Sequence, residues 1–256
     1  MQRFGLAVGL SLLMLVACSQ SPVAPKKRPL RVGISPTYPP IAFKLDRKIR
    51  GVEIDFATML GAELGRDVEF VELRWQRLIP SLVGGNVDII MSGMTITKSR
   101  EFQIDFAEPY LRTGQMAAVR IDRAQRFPTI ESVLNADVNV GVVRGTTGDI
   151  FAEKNIPKAR VMRLTKVGDA PPEFKRETID LFIYDEPAIL WLVSSNEGEL
   201  TNLPETFTEE LLGWGVRRGD DAFLNQVNGT LGNWKRNGTL DQVLDRWLPR
   251  RPRDPF

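Results

Sequence analysis

Three short stretches of this 256-residue chain carry side chains whose types and spacing could grip a small charged molecule. The first is Ser92-Gly93-Met94-Thr95-Ile96-Thr97-Lys98-Ser99-Arg100. Its glycine lets backbone approach a bound group closely, and Thr97 can cap a helix whose first turn contains Arg100. Backbone amides, the Thr95 hydroxyl and a guanidinium fork together suit a carboxylate. An N-capped helix with a solvated arginine accounts for the same residues. The second stretch, Val142-Val143-Arg144-Gly145-Thr146-Thr147-Gly148-Asp149, sets two glycines and two threonines ahead of a helix, which suits an anion. It lacks the lysine and the spacing of a phosphate loop, so nucleotide binding has no support. The third, Tyr184-Asp185-Glu186-Pro187, places an acid at a strand end and a proline in the first turn of a helix. Asp185 either caps that helix or receives an ammonium group.

Composition removes most alternatives. The chain has no histidine and one cysteine, Cys18. Ser-His-Asp and Cys-His catalysis, imidazole metal sites, cysteine zinc sites and disulfides are therefore closed to it, and no metal or other cofactor is expected. A formal charge of +2 and the lack of a basic stripe with interleaved aromatics leave no case for nucleic acid.

The elements that must position these stretches alternate between short β-like runs and helical patterns, as in an α/β fold. Strands are expected over residues 30–34, 67–73, 87–91, 138–143, 159–164, 179–184 and 213–217. Helices are expected over 54–64, 75–83, 149–154, 172–177, 186–193, 221–236 and 239–247. Each of the three stretches thus falls where a strand runs out into a helix, and in open α/β sheets ligands bind beyond the carboxyl ends of the strands.

The N-terminus reads as an address. Arg3 precedes an apolar run from Phe4 to Ala17, short for a membrane span, so residues 1–17 are expected to be a signal peptide. The run ends Leu15-Val16-Ala17-Cys18, which resembles the bacterial lipobox and implies cleavage before a lipid-modified Cys18. Residues 18–28 are polar, with two prolines and Lys-Lys-Arg, and read as a flexible tether. Such a protein would sit on the periplasmic side of the cell envelope, held to a membrane by its lipid.

The ordered marks along the rest of the chain resemble the bacterial extracellular solute-binding proteins of family 3, the polar amino-acid receptors of ABC importers. They include Thr37-Tyr38-Pro39-Pro40 with Phe43, Gly51-Val52-Glu53-Ile54-Asp55, Ile79-Pro80-Ser81-Leu82, and Asp105-Phe106-Ala107-Glu108-Pro109-Tyr110. Val227-Asn228, Gly238-Thr239-Leu240 and Trp247 complete the set. The resemblance implies a two-lobed, Venus-flytrap α/β fold with a hinge of two crossing strands. Residues 30–113 and 212–256 would form one lobe and 114–211 the other. It further implies a monomeric, non-enzymatic receptor that closes on a free α-amino acid and hands it to an ABC permease.

Carried over by position, Arg100 takes the ligand carboxylate with help from the backbone at Gly93 and Thr95, and Thr147 adds its amide from the second lobe. Asp185 receives the ammonium, and Tyr38 and Trp75 flank the side chain. Ser35 stands where relatives that bind cationic amino acids often have an acid, which weighs against lysine and arginine, although Glu53 or Glu186 could come near. Glu186 itself is expected at a solvent-facing helix end. Two rivals share the scaffold. One is a sensor signalling to a separate envelope partner. The other is a dehydratase of the cyclohexadienyl type, whose acid three positions past the aspartate is Ala188 here.

Overall fold

The computed structural model describes residues 27–249, so Cys18, the expected signal peptide and most of the expected tether lie outside the described residues. Lys27 and Arg28 are held against the fold: the Lys27 ammonium donates to the Leu64 carbonyl at 2.8 Å, and the Arg28 carbonyl accepts from Arg66 at 3.0 Å.

The chain opens with β1 (Leu30–Ile34), then a meander of β2 (Thr37–Tyr38), β3 (Ala42–Leu45) and β4 (Lys48–Arg50). Next come α1 (Val52–Leu64), β5 (Val68–Glu72), α2 (Leu78–Val83), β6 (Ile89–Ile90), α3 (Lys98–Glu101) and β7 (Asp105–Phe106). A first crossing strand, β8 (Leu111–Thr113), leads into β9 (Gln115–Arg120), α4 (Ile130–Leu134), β10 (Asn139–Val143), α5 (Thr147–Asn155) and β11 (Arg160–Leu164). There follow α6 (Ala170–Lys175), β12 (Leu181–Asp185), α7 (Glu186–Ser194) and β13 (Leu200–Asn202). The second crossing, β14 (Glu210–Leu212), returns the chain to β15 (Gly215–Val216), α8 (Asp221–Asn237) and α9 (Thr239–Trp247).

Two five-stranded sheets result, ordered β5-β1-β6-β15-β7 and β11-β10-β12-β9-β13. They repeat one plan. Three strands run parallel with the first in the middle, and the fourth runs antiparallel and follows directly on a crossing strand. The crossings β8 and β14 pair antiparallel, with Thr113 opposite Glu210. The protein therefore has two lobes joined by two crossing strands, as the resemblance implied.

The inner parallel strands form because they are near-continuous apolar runs that can be buried on both faces, whereas the edge strands β5 and β11 carry charged residues and are only partly buried. β12, Leu-Phe-Ile-Tyr-Asp, is buried at every position. Helix α1 carries Glu53 and Asp55 in its first turn and stops at Gly65, whose φ of 61° is the left-handed conformation of a glycine stop. From α1, Phe56 stacks on Trp234 and meets Tyr110 and Trp214, which stack on each other.

Most expected elements are present within a few residues. The expected helix over 75–83 is a 3-10 turn, Trp75–Arg77, followed by α2, and the helix expected from Asp149 begins two residues earlier. The β2–β4 meander and β9 carried no expectation. β9 is paired on both sides, by β12 and β13, and its Met116-Ala117-Ala118-Val119 core shows no alternation for a period-2 reading to detect.

Candidate ligand-binding site

The three stretches singled out from the sequence converge between the lobes. Ser92 to Thr95 follow β6, Gly145 to Thr147 follow β10, and Asp185 ends β12, so all lie at the carboxyl ends of parallel strands.

On the first lobe, Thr97 caps α3: its hydroxyl accepts from the Arg100 amide at 3.3 Å. That fixes Arg100 in the first turn, but its side chain is not solvated. Arg100 is 9% exposed, and its guanidinium donates to the Thr95 carbonyl at 2.7 Å and lies 5.3 Å from the centre of the Trp75 ring. Burial lowers its pKa while Asp185 and Glu210 act in the opposite sense; an arginine stays charged regardless.

On the second lobe, Asp185 is 4% exposed and caps nothing, although it stands at the N-terminus of α7. Gln115 on β9 holds its carboxylate at 2.5 Å and donates to the Thr147 hydroxyl at 3.0 Å. Burial first, and the nearby Glu210 second, push the Asp185 carboxyl up to about 7, against the pull of Tyr38, Gln115 and Arg100. Glu186, expected in solvent, is 7% exposed and packed inside. Its helix starts at the lobe interior, where β12 is wholly buried.

Thr146 caps α5 and leaves Thr147 as its first residue, with an amide that needs no partner within the helix. Asp149 fills part of the neighbouring turn, accepting from the Gly145 amide at 2.9 Å and pairing with Arg163 at 2.9 Å.

Tyr38 is 2% exposed and stands edge-on to Tyr184, ring centres 5.0 Å apart. Its hydroxyl acts on Asp185 without reaching hydrogen-bond geometry. Trp75 spans the lobes, its indole N–H donating to the Gly145 carbonyl at 3.0 Å, and Gln76 beside it donates to the Arg144 carbonyl at 3.0 Å. Ser35 is buried with its hydroxyl 3.4 Å from that of Thr37.

Gly93 occupies the floor of the site in a different way from the one expected. Its amide is already given to Glu53, at 2.8 Å. Its φ is 66°, and a Cβ there would lie 2.6 Å from the Tyr38 ring, so only glycine fits. Glu53 also takes the Tyr110 hydroxyl at 2.8 Å and the Trp214 indole N–H at 2.7 Å. Enclosed by these three donors, it braces the floor and does not line the cleft. Burial pushes its carboxyl up to about 7.

Glu210 was not foreseen. Its Oε2 accepts from Thr95 on one lobe and Thr147 on the other, both at 2.9 Å, while Oε1 accepts from Thr208 at 3.0 Å. Nothing in Glu209-Glu210-Leu211-Leu212 signals this. The residue reaches the cleft only because β14 pairs with β8.

The assembled groups are one guanidinium, two carboxylates, paired threonines at the lobe seam and aromatic walls. An α-amino acid is the small molecule that such a set suits: a carboxylate for Arg100 and the Thr147 amide, an ammonium for Asp185.

Comparison with known proteins points the same way. Residues 30–250 match the family model for bacterial extracellular solute-binding proteins, family 3. The L-cystine-binding protein TcyJ of Escherichia coli (strain K12) is 27% identical over 220 residues, covering 86% of this chain and 82% of its own. Among solved structures, the ancestral amino acid-binding protein AncCDT-1, a precursor of cyclohexadienyl dehydratase, superposes with a TM-score of 0.81 at 36% identity. That match covers 86% of this chain and 95% of AncCDT-1. A putative ABC-transporter binding component from Wolinella succinogenes, complexed with lysine, gives a TM-score of 0.82 at 29% identity, with 86% and 96% covered.

Proposed function

The chain belongs to the bacterial extracellular solute-binding proteins of family 3, and from that premise we propose that it captures a free α-amino acid between its lobes and delivers it to an ABC importer. The observation that carries this reading is the placement of Arg100 and Asp185. Both are buried, and they come from opposite lobes with their charges facing one seam. A zwitterion bridges them only when the lobes meet, so ligand favours the closed arrangement by its extra affinity for it. The same reading makes the chain a monomeric binder and not an enzyme. Ala188 is fully buried and offers no acid where the dehydratases are expected to have one. A lipid on Cys18 would hold the receptor at the periplasmic face of a membrane; among the described residues no helix is long and apolar enough to cross one.

A thermal-shift panel of the common amino acids, run on protein freed of bound ligand, tests the proposal. A ligand at 100 times its dissociation constant should add about 2.7 kcal/mol of stability and raise the melting temperature visibly. A folded protein that responds to none of them would refute it.

Affinity should also depend on pH in a defined direction. The ammonium needs Asp185 ionised, yet burial and Glu210 hold that acid up at about 7. Binding in mildly acidic solution therefore expels a proton. Affinity should rise with pH, by up to about tenfold per unit below neutrality, and level off above it. Calorimetry in buffers of different ionisation enthalpy would register the released proton, and identical heats across buffers at pH 6 would count against this role for Asp185.

A further inference from the structure

Gly148, the second glycine of the Gly145-Thr146-Thr147-Gly148 turn, has a use that a ligand does not give it. A Cβ there would lie 2.6 Å from Gln115 Oε1 and 3.0 Å from the Ile183 carbonyl oxygen. The first turn of α5 is therefore bare just where Gln115 comes up beneath it. Gln115 is fully buried and stands directly opposite Asp185 across the β9–β12 ladder. We propose that Gln115 is the positioning residue of the cleft: its side-chain amide, admitted by Gly148, aims Asp185 and Thr147 at the two ends of an amino acid. This rests on the reading of the site as an amino-acid cleft, and gives Gln115 no contact with the ligand.

The hydrogen bonds fix how the amide lies. Both hydrogens of Nε2 are spent, one on Asp185 Oδ1 at 2.5 Å and one on the Thr147 hydroxyl at 3.0 Å. Turned over, the amide would set Oε1 against the carboxylate, acceptor to acceptor. The Thr147 hydroxyl passes its own hydrogen to Glu210, which also accepts from Thr95, whose carbonyl holds Arg100. One chain of hydrogen bonds thus runs from the acceptor for the ammonium to the donor for the carboxylate, and Gln115 joins its first two members.

The backbone of Gln115 is tied down as well. Its N–H donates to the Thr208 hydroxyl at 2.9 Å, and its carbonyl accepts from the Phe207 amide at 2.7 Å. Yet Oε1 is buried without a hydrogen-bond partner. A bare buried acceptor costs stability, so an apolar side chain would fill this space better. Glutamine suits the place for what its N–H groups hold.

The electrostatics give the role its own signature. Burial first, and Glu210 second, raise the Asp185 pKa; Tyr38, Gln115 and Arg100 oppose them. The tyrosines that face this acid, Tyr38, Tyr110 and Tyr184, are themselves pushed by burial well above their ordinary value and stay neutral. Without the Gln115 N–H, the empty receptor should keep the Asp185 proton to higher pH, and a ligand must expel it there.

The test is titration calorimetry on the full chain between pH 5 and pH 9, with the standard L-amino acids and L-cystine applied singly as probes. Gln115→Met keeps the size and removes the N–H groups. It should bind about tenfold more weakly at pH 7, and its affinity should level off about one pH unit or more higher than in the unaltered protein. Gly148→Ala leaves Gln115 in the chain but drives its amide aside, and should shift both readings the same way. Affinity unchanged within a factor of two in Gln115→Met overturns the proposal. So does a loss of affinity with the pH profile unmoved, which would reduce Gln115 to packing. If Gln115→Met does not fold, the same two readings on Gly148→Ala decide. These results leave the amino-acid reading intact, whereas an unaltered protein that binds no probe sinks both.

Discussion

Arg100→Ala should weaken amino-acid binding by about 2–5 kcal/mol, the usual cost of removing one partner from a buried, hydrogen-bonded charge pair. The size follows from the surroundings. The guanidinium is almost fully buried, is aimed by the Thr95 carbonyl and stands against the Trp75 ring, so no water replaces it as partner to the ligand carboxylate. Truncation also leaves Asp185 and Glu210 facing each other without their cation. Arg100→Lys should recover only part of the loss, since an ammonium cannot present two parallel donors. Titration calorimetry with whichever amino acid the thermal panel identifies would measure both variants. Affinity unchanged within a factor of two in Arg100→Ala would place the carboxylate elsewhere.

Glu53→Ala should cost about 3–5 kcal/mol of folding stability, because three buried donors lose their acceptor together. Gly93 N–H, the Tyr110 hydroxyl and the Trp214 indole all converge on this one carboxylate. Glu53→Gln, which keeps a carbonyl for Gly93 and Tyr110 but sets an NH2 group against the indole, should lose less. The pH dependence has a fixed sign. Burial raises the folded-state pKa to about 7, above the ordinary carboxylate value, so the folded protein holds an extra proton between the two. Glu53 thus contributes stability at low pH that is lost as pH rises towards 7, with no further change above it. Asp185 acts in the same sense. Urea melts at pH 5 and pH 8 should show a smaller difference in Glu53→Ala than in the unaltered protein; an equal difference would mean that Glu53 does not titrate in this window.

How far the site could be read from sequence depended on how local each residue's signal is. Arg100 and Asp185 stand beside recognisable punctuation: a capping Thr97 in one case, and a β-run ending in Asp-Glu-Pro in the other. The strand-loop-helix pattern alone puts both at strand ends. Sequence could not decide whether they were solvated or buried, because that depends on β9 and Trp75, which approach from elsewhere in the chain. Gln115 lies in a strand without alternation, and Glu210 in a strand defined only by its pairing with β8. The role of Glu53 needed α1, Tyr110 and Trp214 to be brought together over more than 150 residues of chain. Pattern reading finds what a strand end presents and misses what the second and third neighbours do to it.

The direction of β1 has a consequence for how such a receptor would work from a leash. The cleft lies at the carboxyl end of that strand, whereas Lys27 and Arg28 are pinned at its amino end, roughly 16 Å away along five residues. The described chain therefore begins at the pole of the first lobe opposite the mouth. A molecule held from that pole can swivel with its opening turned outward, and the second lobe can swing without dragging on the attachment. Were the receptor anchored there, a shorter attachment would restrict which neighbours the mouth can reach before it hindered the capture of ligand.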